Sequence, residues 1–293
     1  MRLKHLYKAM LLFALLISLQ SVDAAPLTKV TIELKWFHQF QFAGIYAAEQ
    51  QGYYRDEGLD VKILERDKSS SPVTDVLSGK VQFGISDSTI IRDKLLGKQL
   101  VILAAIFQHS PLVLITLEKS GLISPLELKG KRIMYQKNVD DAIIVGMFNE
   151  FGISRDQIIF VPHTFDDEAL IKGQADAMSA YLSNQPFLYK QKGIKINIIK
   201  PQNYGIDFYG DLLFTSEDYF KSNRKVALAF RRATLRGWEY ALSHKDELIE
   251  LIKKKYAPSR SIAALKYEAS IIEQMIAKDQ IKLGELSKKR IEY

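Results

Sequence analysis

The 293-residue chain has no cysteine. That excludes a disulfide framework, a thiolate metal site, an iron–sulfur cluster, a cysteine nucleophile and a lipidated N-terminal cysteine. Glycine (16) and proline (8) are sparse, and no Pro/Gly/Ser tract or internal repeat is present, which removes collagen-like and low-complexity readings. The five histidines are scattered, so a metal would have to rest on them and on carboxylates. No phosphate-cradling G-x-x-x-x-G-K, G-x-G-x-x-G, H-E-x-x-H or supported S-x-x-K pattern occurs. The nearest approach to a catalytic motif, Gly84-Ile85-Ser86-Asp87-Ser88, resembles a nucleophile elbow but lacks the second glycine. What is there instead is 47% hydrophobic and 11% aromatic residues, the composition of a folded globule with a sizeable core.

Only the N-terminus carries a long apolar run. Arg2, Lys4 and Lys8 precede the stretch Ala9 to Leu19, and Val22-Asp23-Ala24 follows with small residues two apart. This reads as a secretory signal peptide over residues 1–24, since a spanning helix needs about 20 apolar residues. The net charge of +7 is partly a property of that segment. Nucleic acid is not an expected partner, and the remaining basic balance reads either as an anionic ligand's counterpart or as solubility.

From Lys29 onward short apolar runs alternate with helical periodicity, the pattern of βαβ units and largely parallel sheets. Strands are expected at Val30 to Trp36, Val61 to Leu64 and Val81 to Ile85, each followed by a helix that stops at Gly52, Gly79 or Gly97. Pro72 opens the second of these helices. Leu100 to Leu117 is almost continuously apolar apart from Gln108-His109-Ser110-Pro111 and reads as a crossing between two lobes. A second βαβ series follows: strands at Arg132 to Tyr135, Ile158 to Val161, Ala177 to Leu182 and Ile196 to Ile199, a helix from Asp140 to Phe151, and another opened by Asp166-Asp167-Glu168. Leu212 to Thr215 returns to strand character, and the last third is helical, with Val226, Ala229, Phe230, Ala233, Gly237, Tyr240 and Ala241 on one stripe.

Three loops concentrate chemistry suited to binding. Trp36-Phe37-His38-Gln39-Phe40-Gln41-Phe42 joins the first strand to the first helix, where aromatic rings can stack on a flat ligand and Gln39 or Gln41 can orient it. Ser86, Asp87 and Ser88 lie at the carboxyl end of the third strand, where open α/β sheets bind ligands. Asn203 to Asp211 interleaves Tyr204, Asp207, Tyr209 and Asp211 between glycines; the carboxylates suit an amino-substituted ligand. Tyr181 to Pro186, with Asn184, is placed to line an interlobe cleft. His38 has no metal-ligand partner at i+2 to i+4.

These residues carry a family resemblance over nearly the whole chain. Leu34 to Gly44 (LKWFHQFQFAG), Ala47 to Val61 (AAEQQGYYRDEGLDV), FGISDS at Phe83 to Ser88, LELKGKRI from Leu126, AYLSNQPF from Ala180 and YGIDFYGDLLFTS from Tyr204 resemble the NMT1/THI5-like (SsuA/THI5-like) periplasmic solute-binding proteins. The resemblance implies an α/β, two-lobed type II periplasmic binding protein fold, with a hinge of crossing strands and a ligand cleft between lobes. Residues 25–112 and 208–293 would form the first lobe and residues 113–207 the second. It implies a periplasmic substrate-binding protein of an ABC importer, capturing a small heteroaromatic solute such as a thiamine pyrimidine precursor, with a permease in the inner membrane as partner. A monomer without cofactor or metal is expected. The implied ligand positions are Trp36 and Gln41, Ser86 to Ser88, and the hinge region near Gln108 and Asn184. The expected site set is thus Trp36, Gln39, Gln41, Ser86, Asp87, Ser88, Gln108, Tyr181, Asn184, Tyr204, Asp207 and Tyr209. Two alternatives stand beside this: a ligand sensor acting on a separate signalling partner, and a thiamine-pyrimidine synthase. The synthases of this superfamily use a cysteine cluster and a first-loop histidine; here cysteine is absent and Phe42 falls at the histidine's place.

Overall fold

The computed structural model describes residues 26–291 apart from 68, 138 and 139; the expected signal peptide lies outside them. Ten strands form two five-stranded sheets. The first sheet, in the order β2-β1-β3-β10-β4, contains β1 (Thr28–Glu33), β2 (Leu59–Leu64), β3 (Phe83–Ser86), β4 (Leu100–Ala105) and β10 (Leu212–Ser216). The second, in the order β7-β6-β8-β5-β9, contains β5 (Leu112–Leu117), β6 (Arg132–Tyr135), β7 (Ile159–Pro162), β8 (Ala177–Tyr181) and β9 (Ile196–Ile199). Each sheet has a parallel trio, β2-β1-β3 or β7-β6-β8, followed by one reversed strand. In the first sheet that strand is β10, antiparallel to β3 and β4; in the second it is β5, antiparallel to β8 and β9. The apolar stretch from Leu100 is therefore two strands in different sheets. The sheets are mixed rather than largely parallel because a strand that enters directly from the other lobe has no crossover helix to reverse its direction.

Local sequence explains most element ends. Ser71 caps the helix Pro72–Leu77 by accepting the Thr74 amide at 3.2 Å, with Pro72 at the first helical position. Ser261 does the same for Ile262–Ile276. The expected helix at Asp166 to Glu168 does not form: residues 167–173 are turns. Asp166 turns its carboxylate onto the Glu168 amide at 2.9 Å, a local bond that competes with helix initiation. Among the described residues no helix is long and apolar enough to cross a membrane.

The first lobe's core is built where the helix Ala43–Gln50 crosses Arg224–Ser243. Gly44 and Gly237 meet at the crossing, and Trp238 lies over Gly44. Beneath it, Phe83 and Phe230 stack at 4.0 Å and Tyr54 stacks on Phe230 at 5.0 Å. The second lobe has its own core around Ile133, Ile144, Met147 and Phe148. The two sheets are joined through residues 105–112 and 199–212, and the carboxyl ends of β1 and β8 face each other across the cleft between lobes.

Candidate functional site

A lysine sits at the centre of that cleft. Lys35 follows β1 between Leu34 and Trp36 and is only 2% exposed. Its ammonium donates to the Tyr181 hydroxyl at 2.5 Å and lies 3.6 Å from Asp87 and 3.8 Å from Asp211. Tyr181 donates in turn to Asp211 at 3.2 Å. Gln41 donates to both Asp211 oxygens at 2.8 and 3.1 Å, and Gln39 donates to Gln41 at 2.6 Å. This network joins β1 and its following loop to the end of β8 in the other lobe.

Asp140 adds a third buried carboxylate. It accepts the Ser179 hydroxyl at 2.8 Å and the Gln136 amide at 3.0 Å through one oxygen, while Oδ1 has no hydrogen-bond partner among the described residues. Gln136 Oε1 in the wall is buried and unpartnered in the same way, and Asp87 Oδ2 beneath it accepts no hydrogen bond but faces the Lys35 ammonium at 3.6 Å. Asp140 is raised to about 6 by burial and by the neighbouring Asp87 carboxylate, with Lys35 opposing. Asp211 is also raised to about 6, by burial against the opposing effects of Lys35 and Gln41. Burial and the Arg66 charge push His163 down to about 4, so its imidazole is neutral at pH 7.

An aromatic wall closes one side. Trp36 meets His163 edge-on at 5.6 Å and Phe165 at 5.4 Å, both from the second lobe. Phe165 holds a left-handed φ of 59°, a conformation that a bulky side chain adopts only when its surroundings enforce it. In this conformation the cleft retains about 20 Å³, little more than one water occupies. A ring-sized ligand therefore requires the lobes to part and close again around it.

Five residues of the sequence-derived set, Trp36, Gln39, Gln41, Tyr181 and Asn184, line this cleft. Asp87 lies under its floor, where it accepts the Thr89 amide at 2.9 Å. Ser86 is buried in the sheet opposite Leu212. The others stand elsewhere. Ser88 donates to the Tyr209 carbonyl at 2.7 Å, and Gln108 donates to the Glu285 carbonyl at 3.1 Å. Tyr204 packs on Phe151 at 5.2 Å. Asp207 pairs with His109 and Arg290, and Tyr209 accepts the Ser287 amide beneath the Arg290 guanidinium. Most of the polar connection from Asn203 thus braces the C-terminal segment against the lobe junction, while its last residue, Asp211, reaches the cleft network. His38 bonds Tyr46 at 2.8 Å. Among the described residues no group of three or more His, Asp or Glu is placed to hold a metal.

Sequence reasoning missed Lys35, Gln136, Asp140, His163, Arg260 and Glu268. Two left a signal. Lys35 is the one charge in the apolar run Ile32-Glu33-Leu34-Lys35-Trp36-Phe37 after Glu33, and Glu268 interrupts the buried stripe Ala264, Leu265, Ala269, Ile272 and Ile276.

Comparison with known proteins agrees with this architecture. The family described as NMT1/THI5 like matches residues 39–248. The formylaminopyrimidine-binding protein of Halalkalibacterium halodurans is 28% identical over 238 residues, which is 78% of this chain and 71% of that protein. A 4-amino-5-hydroxymethyl-2-methylpyrimidine phosphate synthase of Candida albicans is 25% identical, over 75% of this chain and 69% of its own. Among solved structures, the alkanesulfonate-binding protein SsuA of Xanthomonas axonopodis pv. citri, bound to MOPS, superposes with a TM-score of 0.68 at 14% identity, covering 84% of this chain and 85% of that one. The two mixed sheets, the interlobe cleft and the match over most of the sequence lead to one assignment: the chain belongs to the NMT1/THI5-like family and has the two-lobed periplasmic binding protein fold.

Proposed function

We propose that the protein is a periplasmic solute-binding protein that closes on a small, amino-substituted heteroaromatic molecule and delivers it to an ABC permease in the inner membrane. The observation that carries this reading is the pair of buried cleft-lining acceptors without hydrogen-bond partners among the described residues, Asp140 Oδ1 and Gln136 Oε1. Leaving such atoms unsatisfied costs about 1–3 kcal/mol each, and a ligand that brings N–H donors removes that cost. An acceptor-only anion does not. Trp36 supplies the aromatic face, and the name of the Halalkalibacterium relative supports an aminopyrimidine as the ligand class.

The test is a thermal-shift screen with formylaminopyrimidine, 4-amino-5-hydroxymethyl-2-methylpyrimidine and ethanesulfonate. A bound pyrimidine at 100 times its Kd adds about 2.7 kcal/mol of stability; stabilisation by the sulfonate alone would overturn the reading. Asp140→Asn should weaken pyrimidine binding about 10- to 150-fold, the loss of one hydrogen bond to a charged acceptor. Binding should also follow the ionisation of Asp140. With its apo value near 6, a donor ligand gains affinity as pH rises from 5 to 7 and reaches a plateau above, provided its own charge is constant over that interval. Calorimetric titration across the interval checks the sign. Trp36→Ala should raise Kd about 5- to 150-fold, by analogy with base stacking, while the ligand-free protein melts close to wild type. A large drop in apo melting temperature with unchanged affinity would sink the stacking role.

A further inference from the structure

The helix Ile262–Ile276 and the residues before it touch both lobes. The Arg260 guanidinium donates to the Asn184 side-chain oxygen of the second lobe at 2.6 Å and to Gln39 of the first-lobe loop at 3.4 Å. Behind it stands Glu268, 0% exposed and 4.0 Å away, whose two oxygens accept the amides of Phe40 and Gln41 at 3.0 and 3.2 Å. Seven residues along, Tyr267 donates to the Leu182 carbonyl at 3.2 Å and stacks on Phe187 at 4.9 Å, both second-lobe residues. Glu268 therefore fixes the loop that carries Gln39 and Gln41, and Arg260 ties that fixed loop to the opposite wall of the cleft.

We propose that Arg260 is a closure latch: its bond to Asn184 holds the lobes together and sets how long a captured solute stays bound. This deepens the binding-protein reading and rests on it. The bond spans the lobes, so lobe opening must break it before the solute leaves. A latch of this kind acts on escape. Solute enters only the open form, so removing the latch speeds dissociation and also raises the fraction of ligand-free protein that solute can enter; it does not slow association. Arg260 is a positioning residue, because it touches the cleft walls and reaches the solute only through them.

The absence of cysteine makes the test clean. Asp60→Cys and Lys119→Cys, both exposed and on different lobes, take a donor and acceptor dye pair that reports lobe separation. In ligand-free protein Arg260→Gln should shift the population toward larger separation, and Asn184→Ala, which removes the same bond from the other lobe, should do likewise. The double variant should add little to either single change. With 4-amino-5-hydroxymethyl-2-methylpyrimidine as probe, Arg260→Gln should speed dissociation about tenfold without slowing association, and Arg260→Lys should recover part of the slow dissociation. Unchanged separation in both single variants, or unchanged dissociation of the probe from Arg260→Gln, would overturn the latch. If the wild type does not bind the probe, the separation measurement still decides the latch, and the ligand reading fails separately. If Arg260→Gln fails to fold because Glu268 is left without its cation, Asn184→Ala decides alone.

Discussion

Replacing Lys35 with methionine is expected to cost about 3–5 kcal/mol of stability at pH 7.5, the range for stranding buried charges by deleting their partner. Lys35 is 2% exposed and is the cation nearest Asp87 and Asp211 in the cleft. Methionine keeps the length of the side chain, so the loss reports charge more than volume. The pH dependence fixes the cause. Lys35 holds Asp211 and Asp140 lower than burial alone would leave them, so without Lys35 these two stay protonated to higher pH. The penalty should therefore shrink at pH 5, where they are largely neutral. The wild type has the related trend. Asp140 and Asp211 near 6 and Glu268 near 7 lie above their unfolded values, so the folded state binds more protons between about pH 4 and 7. Through these three groups stability falls as pH rises through that window, opposed there by His163, which the folded state holds neutral. Urea unfolding of both proteins at pH 5 and 7.5 checks this; an equal loss at both pH values would rule out the electrostatic account.

Gly237→Ala should be nearly as damaging, although on propensity alone it would stabilise a helix interior by about 1 kcal/mol. A Cβ at Gly237 would stand 2.0 Å from the Gly44 carbonyl oxygen and 2.7 Å from the Ala48 nitrogen. Both are backbone atoms of the crossing helix, which can yield only by moving the whole helix. Overpacking of this kind costs about 3 kcal/mol or more, so a net loss of about 2 kcal/mol is expected, read as a lower urea midpoint with an unchanged slope. Neutral or increased stability would mean the two helices separate freely, and the packing account of the first lobe would fail.

The fold was largely legible because its elements are short and strongly punctuated. The helix Pro72–Leu77 and the strands Arg132–Tyr135 and Ile196–Ile199 occur as periodicity and turn residues predict. Strand direction was not legible, since apolar alternation is the same for parallel and antiparallel neighbours; the reversal of β5 and β10 is set by chain path. In the site, the first loop could be read because a tryptophan and two glutamines between a strand and a helix have few other uses. Asp140 could not: at the start of a helix it looks like a cap, and only the tertiary fold brings it near Lys35 and Ser179. Arg260 was hidden for a related reason, since a lone arginine in the polar turn before Ile262–Ile276 reads as a solvated charge until the fold packs it against Asn184 and Gln39.

The reversed strand β10 also has a consequence for how the chain comes off the ribosome. Strands β5 to β9 are contiguous from Leu112 to Ile199, so the second lobe can fold as soon as that stretch emerges. The first sheet cannot be completed in the same way: β3 and β4 are synthesised early, but the strand that pairs with both, Leu212–Ser216, arrives more than 100 residues later. Until then the facing edges of β3 and β4 are open and prone to mispairing. The lobe translated first should thus be the lobe that folds last, with protease resistance appearing in residues 112–199 of stalled nascent chains before it appears in residues 28–105.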